Sequence, residues 1–284
     1  MKISSIQTGK FKLDGGAMFG VVPKRMWNKW HPADEDNMCT WQMRCLLIQD
    51  GNKNILIDTG LGTKQDAKFR SHFLPHEEIT FDVALAKQGL KTEDITDVII
   101  THFHFDHVGG AVSKDANGHL IPTFPNATYW SNASHYQWAL HPNPREAASF
   151  LKENFVPLRD HGVLKFIDEV DGIAWSDNIK IHFVHGHTQA MMLPHITLPN
   201  GKTLVYCADL VPSHHHVPIP YVMAYDVRPL ETLKEKSALY ERINTPDHFL
   251  IFEHDETVEA GTLTITEKGK IIFGEPVSID AILL

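Results

Sequence analysis

Thr101-His102-Phe103-His104-Phe105-Asp106-His107 follows directly on the apolar run Val98-Ile99-Ile100. Three imidazoles and one carboxylate therefore stand at the end of a stretch whose apolar content predicts a buried strand. Neutral imidazole and carboxylate are the ligand types that suit Zn²⁺, Fe²⁺, Mn²⁺ or Co²⁺. Residues i and i+2 of an extended segment point the same way, so His102 and His104 can grip one ion together. Asp106 and His107 turn off onto the start of the following helix and can reach a second ion. Four such groups from so short a segment leave no sensible geometry around one tetrahedral ion. Two metals fed from one loop are the economical solution, and that is a catalytic arrangement.

The same grammar recurs along the chain: an apolar run, then a metal-ligand residue type at its C-terminal end. Ile55-Leu56-Ile57 leads into Asp58, and Ile181-His182-Phe183-Val184 into His185-Gly186-His187-Thr188. Leu204-Val205-Tyr206-Cys207 leads into Asp209, and Phe249-Leu250-Ile251-Phe252 into Glu253-His254-Asp255. Side chains at strand ends sit on loops, where rigid scaffolds place functional groups. Taken singly, His187 reads as a turn residue, Asp209 as a helix cap and His254 as a surface histidine. All three falling at strand ends makes them the remaining candidate ligands.

Between these runs the pattern predicts helices over Phe81 to Gln88, stopped by Gly89, and over Ser131 to Leu140, with Ser131 as cap. Two more are expected over Ala147 to Val156 and Pro229 to Ile243. Leu198-Pro199-Asn200-Gly201-Lys202 reads as a hairpin connection, and Gly261 to Phe273 as a second hairpin turning at Lys268-Gly269. Strands in two sets with helices interspersed imply an α/β (α+β) fold of two sheets packed face to face under helices.

With 284 residues, 43% of them hydrophobic, and no linker or repeat, a single domain over 1–284 is expected. No secretory signal is visible after Met1, and no apolar run approaches a membrane span. Cys39, Cys45 and Cys207 cannot pair fully, which fits a reduced, cytoplasmic setting. A net charge of −9 without a dense Lys/Arg run argues against nucleic acid as partner.

His102-Phe103-His104-Phe105-Asp106-His107 resembles the HxHxDH signature of the metallo-β-lactamase superfamily. Gly186-His187-Thr188, Ala208-Asp209 and Glu253-His254 follow in the family's order, and Asp58 in Ile57-Asp58-Thr59-Gly60 matches its early aspartate. The resemblance implies an αββα four-layer sandwich with two divalent ions, zinc by default and iron, manganese or cobalt as alternatives. It implies that His102, His104 and His187 hold one ion, that Asp106, His107 and His254 hold the other, and that Asp209 bridges both. It also implies that Asp58 supports the metal loop from behind. Within the superfamily the chain is most similar in pattern to the N-acyl homoserine lactonases, the quorum-quenching enzymes. The opening Asp14 to Lys24 points the same way. It departs from them at Met191, where a second histidine is usual, and at Pro212, where a substrate-orienting tyrosine is often found.

Such a site implies hydrolysis of a small-molecule ester, most simply a lactone, by a hydroxide shared between the metals. Metal charge would stabilise the resulting oxyanion. Asp106 is the candidate proton shuttle beside its ligand role, with Asp209 the second catalytic carboxylate. Phe19, Met26, Trp27 and Trp30, in a proline-interrupted aromatic segment with Met18 and Trp41, are candidate substrate contacts. A core-covering loop or a homodimer contact is the competing role for that segment. Pro212 to Tyr225 is too proline-rich for a helix, and its His214-His215-His216 run is expected to face solvent. Tyr221 or Tyr225 would stand in for the absent tyrosine. The alternative activity is phosphotriester or thioester hydrolysis on the same fold. A non-catalytic metal-binding protein ranks low, because structural sites are usually closed and cysteine-rich.

Overall fold

Short apolar runs, several of them rich in β-branched and aromatic residues, become strands. In the computed structural model, which describes residues 1–284, they build a mixed α/β protein with three sheets. The chain divides into two compact units. No helix is long and apolar enough to cross a membrane.

The first unit holds Met1–Lys10 and Met43–Glu169. Its strands are β1 (Lys2–Asp14), β2 (Met38–Asp50), β3 (Lys53–Ile57), β4 (Asp97–Ile99), β5 (Val112–Lys114), β6 (Leu120–Pro122), β7 (Thr128–Ser131) and β8 (Leu164–Phe166). Residues 11–14 of β1 and 38–42 of β2 belong to the second unit. β5 and β6 pair as a separate ribbon, and the others form one sheet in the order β1-β2-β3-β4-β7-β8. From β3 to β8 the strands run parallel, with Ile57 opposite Ile99 and Ile99 opposite Trp130. Parallel strands end at a common edge, so Asp58, the Thr101–His107 loop and Asn132 emerge side by side. Leu56, Val98, Ile100, Phe103 and Tyr129 lie in the apolar core of this unit.

The second unit holds Phe11–Gln42 and Val170–Leu284. It carries β9 (Ile173–Ala174), β10 (Ile179–Val184), β11 (Met191–Thr197), β12 (Thr203–Tyr206), β13 (His248–Ile251), β14 (Ala260–Ile265) and β15 (Ile271–Val277). These seven form a sheet in the order β15-β14-β13-β12-β11-β10-β9. β12 and β13 are parallel, joined by a crossover containing the helix Pro229–Ile243. β11 is antiparallel to both β10 and β12. The C-terminal ends of β10, β12 and β13 therefore share an edge, and His187, Asp209 and His254 follow them.

All five expected ligand-bearing strands are present, as are both hairpins and the Pro229–Ile243 helix. Three details differ. The helix expected over Ala147 to Val156 does not form: turns there lead to a short helix, Val156–Asp160. Pro157 lacks the N–H that a longer helix would need and sits instead in a first turn, where that loss costs nothing. Asn132, not Ser131, caps Ala133–Leu140 and accepts from His135 N, because Ser131 is the last residue of β7. The His214–His216 run is a 3₁₀ turn with His216 buried, not a solvent-facing one.

Backbone meets backbone beneath the Thr101–His107 loop. A Cβ at Gly109 would lie 2.0 Å from Leu61 O, and one at Gly110 2.2 Å from Thr59 O. Gly110 N donates to Gly60 O at 2.9 Å, and Thr59 N to His107 O at 2.7 Å. Gly110→Ala should therefore destabilise the protein by about 1–3 kcal/mol, the cost of overpacking against atoms that cannot rotate away. Chemical denaturation would measure it, and a wild-type midpoint would contradict this packing.

Candidate metal centre

Asp58 organises the ligand loop of the first unit from a left-handed backbone conformation, φ 56°. That conformation is uncommon outside glycine, and Asp tolerates it better than most residues. One carboxylate oxygen accepts Thr101 N at 2.7 Å, and the other accepts Thr101 Oγ1 at 2.7 Å. The second oxygen also lies 3.1 Å from His107 Nδ1. Thr101 Oγ1 is in turn 3.1 Å from His102 Nδ1. With the threonine proton given to Asp58, the His102 ring is the donor of that contact. His104 turns Nε2 toward Glu146 Oε1 at 3.5 Å. Glu146 is itself buried and held by Trp138 Nε1 at 2.8 Å and Asn143 Nδ2 at 2.6 Å.

The consequence is chemical. His102 and His107 each have one ring nitrogen tied to their own scaffold, which sets the tautomer and leaves the other nitrogen as an electron-pair donor, while His104 Nε2 faces Glu146 Oε1 across a longer gap. His102 Nε2 and His104 Nδ1 face each other at 3.1 Å. His107 Nε2 lies 3.7 Å from Asp106 Oδ2. All four side chains are buried. The loop is further pinned by His135, whose Nε2 accepts Phe103 N at 2.8 Å and whose ring stacks on Phe103.

The second unit repeats the scheme. His187 Nδ1 lies 2.9 Å from Asp226 Oδ1, and His254 Nδ1 lies 2.8 Å from the Gln42 carbonyl. Their Nε2 atoms approach the two oxygens of Asp209, each at 3.1 Å. Ala208, just ahead, has φ 42°, a strained conformation of the kind that clusters at functional sites. Burial alone would discharge His187, but Asp209 and Asp226 outweigh it and raise its pKa to about 10. This pocket favours positive charge.

Helix Pro229–Ile243 holds the His187 turn from behind. Thr232 Oγ1 donates to Asp226 Oδ2 at 2.7 Å, and Glu235 accepts His185 N at 2.5 Å and Gly186 N at 3.0 Å. A Cβ on Gly186 would lie 2.3 Å from Thr232 Oγ1, so only glycine allows this approach. Buried imidazole nitrogens and carboxylates, each oriented by a second partner, are a donor set that fits divalent cations. Both sets consist of His/Asp groups able to hold metal ions.

Asp226, Glu146, His135 and the Gln42 carbonyl are contributors that sequence reasoning did not reach. No local pattern marks them, since each acts across a long separation: 39 residues between Asp226 and His187, 212 between Gln42 and His254. Among the suggested substrate contacts, Phe19 and Trp27 are buried, Phe19 stacking on both Trp27 and His216. They pack the segment and offer a ligand no surface. Met26 and Trp30 are exposed and Tyr221 is half-buried. Met191 is buried at the start of β11, and the Pro212 carbonyl accepts His254 N at 3.0 Å.

Fold and donor set together define a metalloprotein of mixed α/β architecture. The chain belongs to the metallo-β-lactamase superfamily, whose family model matches residues 41–254. Curated relatives include a "probable metallo-hydrolase" of Mycobacterium bovis and one of Mycobacterium tuberculosis, each 27% identical over 140 residues. That match covers 46% of this chain and 40% of the length of those relatives. Among solved structures, a "probable metal-dependent hydrolase" from Staphylococcus aureus aligns over 98% of both chains, with TM-score 0.84 and 29% identity. The dizinc quorum-quenching lactonase AidC, solved with a product, aligns over 98% of this chain and 94% of its own, with TM-score 0.77 and 19% identity.

Two measurements follow. Asp226→Asn keeps an acceptor for His187 but removes the charge, so metal affinity should fall about 10–100-fold in competition with a chromogenic chelator. Unchanged affinity would deny Asp226 this role. Burial also lowers His195 and His216 to about 3 and His215 to about 4, so they stay neutral while the unfolded chain protonates below 6.5. The unfolded state then binds more protons, and stability should fall as pH drops from 6.5 toward 4, by up to ~1.4 kcal/mol per pH unit per histidine. Urea titrations of His195→Gln should show a shallower slope than the parent; identical slopes would exclude His195 as a contributor.

Proposed function

We propose that the protein is a dinuclear metal-dependent hydrolase that opens lactone rings, with small acyl lactones of the N-acyl homoserine type as the leading substrate class. The observation that carries this reading is the shared construction of the ligand sets. Four of the five candidate histidine ligands have one nitrogen hydrogen-bonded to the fold and the other presented for coordination, the fifth, His104, faces the Glu146 carboxylate, and Asp209 has an imidazole at each oxygen. Superfamily membership supports joining both units' ligands into one centre. His102, His104 and His187 would hold one cation and Asp106, His107 and His254 the other, with Asp209 shared. Zinc leads because nitrogen-rich sites of this type favour it, with iron, manganese and cobalt as alternatives.

Two divalent cations, when bound, supply charge that acidifies water and polarises an acyl oxygen. The chain's own groups do the rest. Asp58, Glu146, Asp226 and Gln42 keep the ligand rings from turning, so little reorganisation accompanies the reaction. Asp106 is buried at the start of the helix Phe105–Val108. It takes a proton as the acyl–oxygen bond forms and returns it to the departing ring oxygen. The burial of every ligand side chain restricts competing water.

Metal analysis paired with a panel of lactones, phosphotriesters and thioesters tests this. The expected result is about two equivalents of divalent metal and lactone opening that exceeds the other activities. Chelation should abolish turnover, and restored metal should return it. Protein prepared in metal-replete medium that binds no ions, or that opens no lactone above background, would overturn the reading. A preference for phosphotriesters or thioesters would move the substrate class and leave the metal chemistry in place.

A further inference from the structure

Lys236 is a wholly buried lysine in the middle of helix Pro229–Ile243, and no ion pair holds it. Its Nζ donates to four backbone carbonyls of a single segment: His216 at 2.6 Å, Tyr221 at 2.9 Å, Pro218 at 3.0 Å and Ile219 at 3.4 Å. One turn further along the same face, Tyr240 OH donates to Val217 O at 2.8 Å. Five carbonyls between His216 and Tyr221 are thus satisfied by two side chains four residues apart on one helix.

The segment needs outside donors. Pro212, Pro218 and Pro220 have no N–H to offer, and the stretch forms neither a strand nor an α-helix. Buried carbonyls left without donors would be costly. Burial pushes the Lys236 pKa down to about 7, with Asp226 opposing. Three acceptors within 3.0 Å match the three N–H groups of an ammonium and exceed the two of a free amine.

What the segment carries gives the clamp its meaning. His215 and Tyr221 both stack on the half-exposed ring of Trp30, at 5.7 and 5.9 Å between centroids. His216 Nε2 contacts Met18 O at 2.9 Å, and Ala224 N donates to Ala17 O at 2.8 Å. A Cβ on Gly20 would lie 2.3 Å from Val222 O. The 212–225 segment and the N-terminal aromatic segment therefore form one wall within the second unit. A cleft of about 380 Å³ opens beside Trp30, His31 and His215.

We propose that Lys236 is a positioning residue: its ammonium clamps the carbonyls of the 216–221 turn and thereby sets the aromatic face that Trp30 and His215 turn to the cleft, with Tyr221 stacked on Trp30, as the substrate-contacting wall. That the wall meets substrate rests on the hydrolase reading; the clamp does not. The clamp predicts a localised effect. In Lys236→Met, amide exchange at Val217 and Tyr221, whose N–H groups bond to His214 O and Pro218 O, should accelerate by ~tenfold or more while β12 and β13 keep their protection. Bound metal should be retained. With any ester the protein hydrolyses, KM should rise severalfold with kcat changed less.

Tyr240→Phe, which removes one neutral donor, should produce a smaller effect in the same residues and serves if the methionine variant does not fold. Methylammonium should restore protection in Lys236→Ala where tetramethylammonium, which has no N–H, does not. Uniform acceleration across the second unit in both variants, or equal rescue by the two cations, would overturn the clamp. Localised acceleration with KM unchanged would remove the wall from substrate binding. Turnover of no panel substrate would count against the hydrolase reading alone, because exchange is read without turnover.

Discussion

An imidazole serves best as a ligand when its ring cannot turn, and this protein hydrogen-bonds one nitrogen of four of its five candidate histidine ligands and sets a carboxylate opposite the fifth. Thr101 holds His102, Glu146 faces His104, Asp58 holds His107, Asp226 holds His187, and the Gln42 carbonyl holds His254. Each contact sets which nitrogen carries a proton and where the remaining electron pair points. The fold is arranged to supply these contacts. Parallel strands bring Asp58 beside the Thr101–His107 loop, and the β12–β13 pair brings Asp209 beside His254.

The supports are charged or buried, and the structure bears the cost in backbone. Asp58 and Ala208 sit at positive φ, and the loops at Gly60–Gly62 and Gly109–Gly110 touch main chain to main chain. Such contacts leave no room for a side chain. They make the ligand loop of the first unit a rigid object, and rigidity is what a site needs when its chemistry depends on sub-ångström placement. The second unit achieves the same end by a helix: Thr232 and Glu235 hold the His187 turn, while Lys236 and Tyr240 hold the 216–221 carbonyls. One helix thus serves both a ligand and a loop.

A polar pattern close in sequence was legible; its distant partners were not. His102, His104, Asp106 and His107 announce themselves because four candidate ligands in six residues have few other uses. The five ligand-bearing strands were equally readable, since their apolar runs are short and end abruptly. Ala147 to Val156 has an apolar spacing that suits a helix, but Pro157 and the Ser149 carbonyl, which accepts Phe105 N at 3.0 Å, serve other ends. His214–His216 looked like a surface run because composition cannot tell that Phe19 and Met18 would close over His216.

By itself, the sequence determined the family, the strand grammar and which residues offer metal-binding chemistry, because each of those is written in types and spacings within a few residues. Tertiary structure alone decided which nitrogen of each histidine faces its scaffold, that Asp226 and Glu146 stand behind their rings, and that a buried lysine rather than local hydrogen bonding shapes the 216–221 turn. Those outcomes depend on partners many residues away. Only the folded chain brings their atoms within hydrogen-bonding reach.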